Sequence, residues 1–326
     1  MRRASKTIYL SIILLILSIS LVVASYLFTN IKTSPQTIQV ISGENLSNIS
    51  EKLYIKGLLK YPAILNIYGV ASFKARKIKA GEYLINDQMS IANLIEDMVK
   101  GDVYFRDFRI KEGSTFSSLI DEMKKKDFLI NDLGKEPFNN IKEKLNIEYT
   151  NAEGLFAPDT YYYKHGDTYS NLLSRAYKKQ TKILNKLWSI RSLSLPYADK
   201  YELLILASII EKEGTEKDKI AGVFLRRLKL NMKLQTDPTV IYALGDNYDG
   251  NIKKKDLSIK HPYNTYYIKG LPPGPICFPS ESSLIASSEL NNENSLYFVA
   301  KGDGTHAFSD TYKDHLKAVK KYQLNK

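Results

Sequence analysis

The stretch Ile205 to Gly214, ILASIIEKEG, runs an aliphatic segment straight into two glutamates. A carboxylate held against aliphatic side chains loses hydration, which disfavours its charged form and raises its pKa. That is how a carboxylic acid stays protonated near neutral pH and can serve as a proton donor. If a helix runs from about Tyr201, Glu213 lies three residues after Ile210, four after Ile209 and seven after Leu206, on the apolar face. Glu211 has Ala207 and Ser208 at the same offsets, a smaller neighbourhood that we expect to be wetter. The spacing therefore favours Glu213, and Gly214 beside it permits close approach of backbone or ligand. The alternative is a helix that simply surfaces into solvent at this point.

Cleaving a glycosidic bond needs a proton donor for the leaving oxygen, and a raised-pKa glutamate supplies one. The usual second carboxylate could be Asp237 or Asp159, although neither spacing is diagnostic. A single carboxylate also suffices when the sugar carries an N-acetyl group, whose carbonyl oxygen can stabilise the developing oxocarbenium ion. The same glutamate, now deprotonated, can then take a proton from the sugar's own 6-hydroxyl. Because that hydroxyl is tethered to the reacting carbon, its effective concentration greatly exceeds that of a stray water. The product of that path is a 1,6-anhydro sugar, and the reaction is not a hydrolysis.

The elements that position such an acid begin with an address. Arg2, Arg3 and Lys6 precede Ile8 to Phe28, a run without a charge that would span roughly 30 Å as a helix, the thickness of a bilayer's hydrocarbon core. The basic flank predicts a cytoplasmic N-terminus and a single-pass inner-membrane anchor, with the rest of the chain outside the cytoplasm. A cleaved signal peptide, with Val22-Val23-Ala24 at the cleavage site, is the competing reading; the run exceeds a typical signal core, which favours the anchor. The 326 residues leave room for two domains, and a net charge of +12 suggests an anionic neighbourhood. The basic residues are scattered rather than interleaved with aromatics, so nucleic acid is the least favoured partner. Cys277 is the single cysteine, and His165, His261, His306 and His315 show no metal-ligand spacing. No metal and no cofactor is expected.

Residues 38–59 match residues 108–129 without a gap at an offset of 70: Val40 with Ile110, Gly43 with Gly113, Leu46 with Phe116, Ile49 with Leu119, Leu53 with Met123. Each copy reads as a short strand, a glycine turn and an amphipathic helix with Asn45 or Ser47 as the first copy's cap. A weaker third unit follows AGEYLI, with Ile91, Leu94 and Met98 at the same spacing. These repeats resemble LysM-like glycan-binding units at the level of pattern, and a spacer is the competing reading. From Ala152 the composition changes, and AEGLFAPDTYYY marks a new segment. Helical patterns follow at residues 168–189, 201–213 and 217–230. Beyond them LQTDPTVIYALG, HPYNTYYIKGLPPGPICFP and YFVAKGDGTHAFS read as ordered loops around a cleft. Tyr161, Tyr162 and Tyr163 could stack on sugars or alternate in burial along a strand, and His306 could bind substrate or be structural. Asp237, before Pro238, reads more readily as a capping or turn carboxylate than as a catalyst.

The order ASIIEKE, LQTDPTVIYALG, YNTYYIKGLPPGPI, FVAKGDGTHAFS resembles the YceG-like family, the endolytic murein transglycosylases, from about Ile38 to Tyr322. The resemblance implies an α+β chain in three parts. These are an N-terminal transmembrane helix (residues 1–30), small strand–helix LysM-like repeats (31–150), and a mixed helical/β lytic catalytic domain (151–326). It implies the second glutamate of EKE, Glu213, as the catalytic residue. It further implies a substrate of peptidoglycan glycan strands cut between MurNAc and GlcNAc, with termination or trimming of nascent strands as the role. Peptidoglycan synthases are candidate partners. Lytic transglycosylases more widely carry a Gln-x-x-Pro segment and a later Tyr-Asn. By that analogy Gln235, Thr236, Asp237, Tyr263 and Asn264 line the saccharide subsites, with amide and phenol groups suited to an N-acetyl group. Gly214 departs from the pattern, since many such enzymes have a hydroxyl residue there. A hydrolytic muramidase using Asp237 or Asp159 to position water, and a non-catalytic wall-binding assembly factor, are the alternatives.

Overall fold

The computed structural model describes residues 2–324, with side chains described from Tyr9 onward, so the basic flank of Arg2, Arg3 and Lys6 lies outside the described side chains. The protein is a mixed α+β chain, mostly helical, with small two-stranded sheets. It divides into two compact units between Arg106 and Asp107.

The first unit opens with α1 (Arg2–Phe28), whose Tyr9–Phe28 stretch of 20 residues has a mean hydropathy of 2.6 and is long and apolar enough to cross a membrane. Next come β1 (Gln36–Val40), α2 (Leu46–Ile55), α3 (Pro62–Ala71), β2 (Gly81–Ile85) and α4 (Ile91–Lys100). β1 and β2 pair antiparallel, with Gln36 opposite Ile85 and Val40 opposite Gly81. Ile38, Ile49, Leu53, Leu65, Tyr83, Leu94 and Met98 form the core, and the last turn of α1 joins it through the buried Leu27. The repeated unit is thus a strand–helix–helix–strand loop, with the third strand–helix copy supplying the closing strand.

The second unit starts the same way. β3 (Arg106–Ile110), α5 (Phe116–Lys124), α6 (Pro137–Leu145) and β4 (Asp159–Tyr163) repeat the strand–helix–helix–strand order, and β3 bonds to β4. The offset of 70 holds in atomic detail. Gly43 and Gly113 both take the left-handed backbone that a side chain disfavours. Asn45 accepts from the Asn48 amide and Thr115 from the Ser118 amide, so the cap recurs at the matched position. In β4, Tyr161 and Tyr163 are buried while Tyr162 is exposed, which is strand alternation. The second strand–helix–helix–strand loop shares its core with the helices that follow it, Phe108 and Phe116 packing with Phe156, Leu172, Leu203 and Phe278.

Those helices are α7 (Tyr169–Ile190), α8 (Lys200–Glu213), α9 (Lys217–Lys229), α10 (Asp237–Leu244) and α11 (Glu281–Ser288). The antiparallel hairpin β5 (Tyr297–Ala300) and β6 (His306–Ser309) follows, then α12 (Tyr312–Val319) with a further helical turn at Lys320–Leu324. One stretch read as loop from sequence, LQTDPTVIYALG, contains α10. Pro238 sits in its first turn, where a missing N–H costs nothing.

Candidate active site

α8 is capped by Asp199, whose side chain accepts from the Tyr201 and Glu202 amides. Every residue from Leu203 to Ile210 is buried, so the helix runs through the core rather than lying on it. This corrects the expectation of one dry and one wet face: Ala207 and Ser208 are as buried as Ile209 and Ile210. What separates the two glutamates is their partners. Glu211 accepts from Ser280 Oγ (2.5 Å), Ser283 Oγ (2.6 Å), Ser280 N (3.0 Å) and Lys217 Nζ (2.9 Å). Burial pushes its pKa up, but these four donors outweigh it and hold the carboxylate ionised below its ordinary value. Glu211 is a charged tie between α8, α9 and α11.

Glu213 has the opposite environment. Burial pushes its carboxyl up to about 7; a hydrogen bond from the Thr236 hydroxyl and the Arg227 charge pull the other way, and the neighbouring Asp237 adds to the rise. It lines a cleft of about 470 Å³ together with Arg227, Gln235, Asp237, Tyr266, Tyr297, Phe298 and His306. A polar cleft holding one carboxylic acid with a pKa near neutrality is equipped for general acid–base chemistry.

The elements around Glu213 are fixed by threonines. Thr236, buried, donates to Glu213 Oε1 through its hydroxyl, and its backbone N–H donates to Thr265 Oγ1 at 3.0 Å. Thr239 Oγ1 lies 2.8 Å from Thr265 Oγ1 and donates to the Thr236 carbonyl at 2.7 Å. The segment before α10 is thereby stapled to the YNTYY loop. Arg227 braces the same segment from α9: its guanidinium donates to the carbonyls of Leu234 (2.9 Å) and Leu296 (2.7 Å) and faces the Tyr297 ring. Gln235 is exposed to the cleft and holds a left-handed backbone (φ 52°), a strained state that loops around sites tend to store.

Not all the residues singled out from sequence meet at the cleft. Glu213, Gln235 and Asp237 line it, and Thr236 touches the acid from beneath. Tyr263 is turned elsewhere: its hydroxyl accepts from Asn151 Nδ2 at 2.8 Å and its ring lies against Tyr242. Asn264 is fully buried and spends its amide on the Leu257 and Ile259 carbonyls and the Tyr266 amide, so it shapes the loop rather than facing a ligand. The tyrosine of the YNTYY motif that lines the cleft is Tyr266, which donates to Asp237 Oδ1 at 2.6 Å. It stands within the YNTYY motif, two residues beyond the pair chosen. Asp159 is exposed at the start of β4 and paired with Lys179. His306 is tied to Glu216, by its amide at 2.7 Å and its Nδ1 at 3.1 Å. A side chain at Gly214 would bring its Cβ to 3.0 Å of the His306 ring, a contact that the ring would have to relieve by shifting; the hydroxyl beside the acid comes from Thr236. Arg227 carried no signal in the sequence, since one of a pair of arginines near the end of an amphipathic helix reads as surface.

Residues 38–321 match the YceG-like family. The chain is 34% identical over 309 residues to the endolytic murein transglycosylase of Bacillus subtilis (strain 168), covering 89% of this chain and 85% of that one. It is 29% identical to the endolytic murein transglycosylase of Streptococcus pneumoniae serotype 2 (strain D39 / NCTC 7466), of which it spans 59%. Its fold matches the 2.6 Å crystal structure of a yceG-like protein from Listeria monocytogenes with a TM-score of 0.52, at 27% identity, covering 88% of this chain and 99% of that one. These relatives are named as endolytic murein transglycosylases, and the similarity places the protein in the lytic transglycosylase class of enzyme. The chain is a member of the YceG-like family.

Proposed function

We propose that the protein is a membrane-anchored endolytic transglycosylase of peptidoglycan that cuts the MurNAc–GlcNAc bond without water and leaves 1,6-anhydro-MurNAc ends. Its role on this reading is to terminate or trim nascent glycan strands. The observation that carries it is Glu213, the cleft carboxyl pushed up to about 7 beside the Thr236 hydroxyl donor. Protonated, it gives its proton to the leaving GlcNAc oxygen as the C1–O bond breaks; the N-acetyl carbonyl of MurNAc shares the positive charge at C1. Ionised, it takes the proton of the 6-hydroxyl as that oxygen closes on C1, which returns the acid to its starting form. One group thus serves both half-reactions, and its pKa near neutrality suits both. Gln235 and Tyr266 supply the amide and phenol that would hold the N-acetyl and peptide-bearing groups. Thr236 fixes the rotamer of the acid.

Asp237, the other carboxylate lining the cleft, supports the hydrolytic alternative only if it can direct a water, and Tyr266 already bonds one of its oxygens. On this reading α1 is a retained single-pass anchor with its N-terminus in the cytoplasm, which puts both compact units outside. The strand–helix–helix–strand loops serve as LysM-like glycan grips, and the +12 charge suits an anionic wall and membrane. Digestion of purified sacculi by the full chain tests the reading. Muropeptides one water lighter than the reducing-end forms are expected; reducing-end products alone would establish a hydrolase, and no cleavage would leave a binding protein.

A further inference from the structure

We infer that α3 and the basic segment after it form a foot that lies in the outer surface of the bilayer beside the anchor. The inference rests on the reading of α1 as a membrane span, and it adds a second, lateral membrane contact.

α3, PAILNIYGVA, holds no charged residue, yet only part of it is buried. Leu65 and Gly69 face the core; a Cβ at Gly69 would strike Leu46 at 2.1 Å, so the helix cannot rotate about its axis. Ile67 (69% exposed) and Val70 (68%) are therefore held outward, with Phe73 (80%) just beyond the helix end. Phe73 has a left-handed backbone (φ 57°), unusual for a bulky residue and here spent on presenting a bare ring. An aqueous surface gives no reason for such a stripe, and apolar patches of this kind mark interaction sites.

The occupant follows from where the stripe sits. Tyr26, in the last turn of α1, accepts from the Lys60 and Tyr61 amides (2.7 and 3.1 Å) at the start of α3. Phe28, the final residue of α1, meets Tyr68 edge-on at 6.4 Å. Two residues apart on a helix, Tyr26 and Phe28 project about 200° from each other. A helix that meets both with residues seven apart crosses the end of the span instead of running along it. The hydrocarbon boundary falls near Phe28, because the apolar run of 20 residues fills roughly 30 Å. α3 is thus placed at headgroup depth, lying across the bilayer surface.

Charge agrees. Between Glu51 and Glu82 there are seven lysines and arginines and no acid. Lys52 pairs with Glu44 and Lys74 with Glu96, and the other five are exposed. Basic side chains flanking an exposed apolar helix are the composition of an interfacial segment on anionic lipid.

The test uses the full chain in a Cys277→Ser background, reconstituted in vesicles of phosphatidylcholine with or without phosphatidylglycerol. An environment-sensitive fluorophore is placed in turn at Val70→Cys, at Leu14→Cys within the span and at Ser42→Cys on the polar β1–α2 turn. Intact mass first establishes that α1 is retained. Emission from position 70 should be blue-shifted and quenched by lipids carrying a nitroxide near the headgroup, more strongly with phosphatidylglycerol present. Position 14 should be quenched by a deep nitroxide, and position 42 by neither. Quenching at 14 without quenching at 70 overturns the foot and leaves the anchor standing. Blue-shifted but unquenched emission at 70 assigns the stripe to a protein partner or a second copy and also overturns it, as does quenching at 42 equal to that at 70. Loss of α1 from the intact mass overturns both readings.

Discussion

Replacing Glu213 by glutamine should separate what the site costs the fold from what it gives to catalysis. The carboxyl is pushed from its ordinary 4.5 to about 7, chiefly by burial. At about 1.4 kcal/mol per tenfold change in proton affinity, that gap is worth about 3 kcal/mol. The sign follows from proton uptake. Between pH 4.5 and 7 the folded state holds the proton and the unfolded state releases it, so raising the pH favours unfolding. Below about pH 4.5 both states are protonated and the penalty vanishes; above about 7 the full penalty is present. Glutamine is nearly isosteric, accepts the Thr236 hydroxyl bond and cannot ionise. Glu213→Gln should therefore melt close to the wild type at pH 4.5 and be more stable at pH 8, by an increment approaching about 3 kcal/mol. Thermal melts of both full-length proteins in the same detergent across that range measure it. Turnover of peptidoglycan should fall by roughly 100- to 10,000-fold at every pH, because proton donation and proton acceptance are both lost. A stability difference independent of pH would refute the buried-acid reasoning, and retained turnover would refute the assignment of the site.

Other expectations follow from the same geometry. Glu211→Gln should cost stability rather than chemistry, about 3 kcal/mol by analogy with broken buried ion pairs, read as a lowered Tm with kcat little changed in the folded fraction. Thr236→Val removes the hydrogen bond that lowers the Glu213 pKa, so the alkaline limb of the kcat/KM–pH profile should move to higher pH; an unmoved limb would mean that the bond does not tune the acid. Asp159→Asn should leave turnover within about twofold, because an exposed ion pair with Lys179 contributes little. Asp237→Asn, which disturbs the Tyr266 bond in the cleft, should raise KM or lower kcat measurably, and equal, negligible effects of the two aspartate variants would take Asp237 out of the site.

The sequence made the local structure legible where a repeat or a period carried it. The offset of 70 anticipated both strand–glycine–helix units, down to the turn glycines; the first copy's cap was open between Asn45 and Ser47, and the structure uses Asn45, with Thr115 at the matched position. The sequence hid the pairing of the closing strands, because β4 reads equally as a tyrosine cluster for sugars or a strand and its partner β3 is a long-range choice. The spacing that singled out Glu213 gave an incomplete reason for its contrast with Glu211. Helical spacing assigned it a dry face, whereas α8 is dry all round and the contrast with Glu211 comes from Ser280, Ser283 and Lys217. Those serines lie about seventy residues downstream, beyond the reach of any local pattern. Tyr263 and Asn264 illustrate the same limit: adjacency in a motif does not say which of several polar side chains faces the cleft and which holds the loop, and here Tyr266 has the outward place. Glycine at 214 was legible as a departure, whereas the closeness of the His306 ring to it was not.

The central claim is that the 6-hydroxyl, not water, closes on C1 after Glu213 has expelled the leaving sugar. Cleavage of sacculi by the full chain in water enriched in heavy oxygen tests it most directly. The account predicts 1,6-anhydro-MurNAc ends carrying no heavy oxygen, formed by the wild type and lost in Glu213→Gln. Reducing ends that carry one heavy oxygen per cut would contradict it.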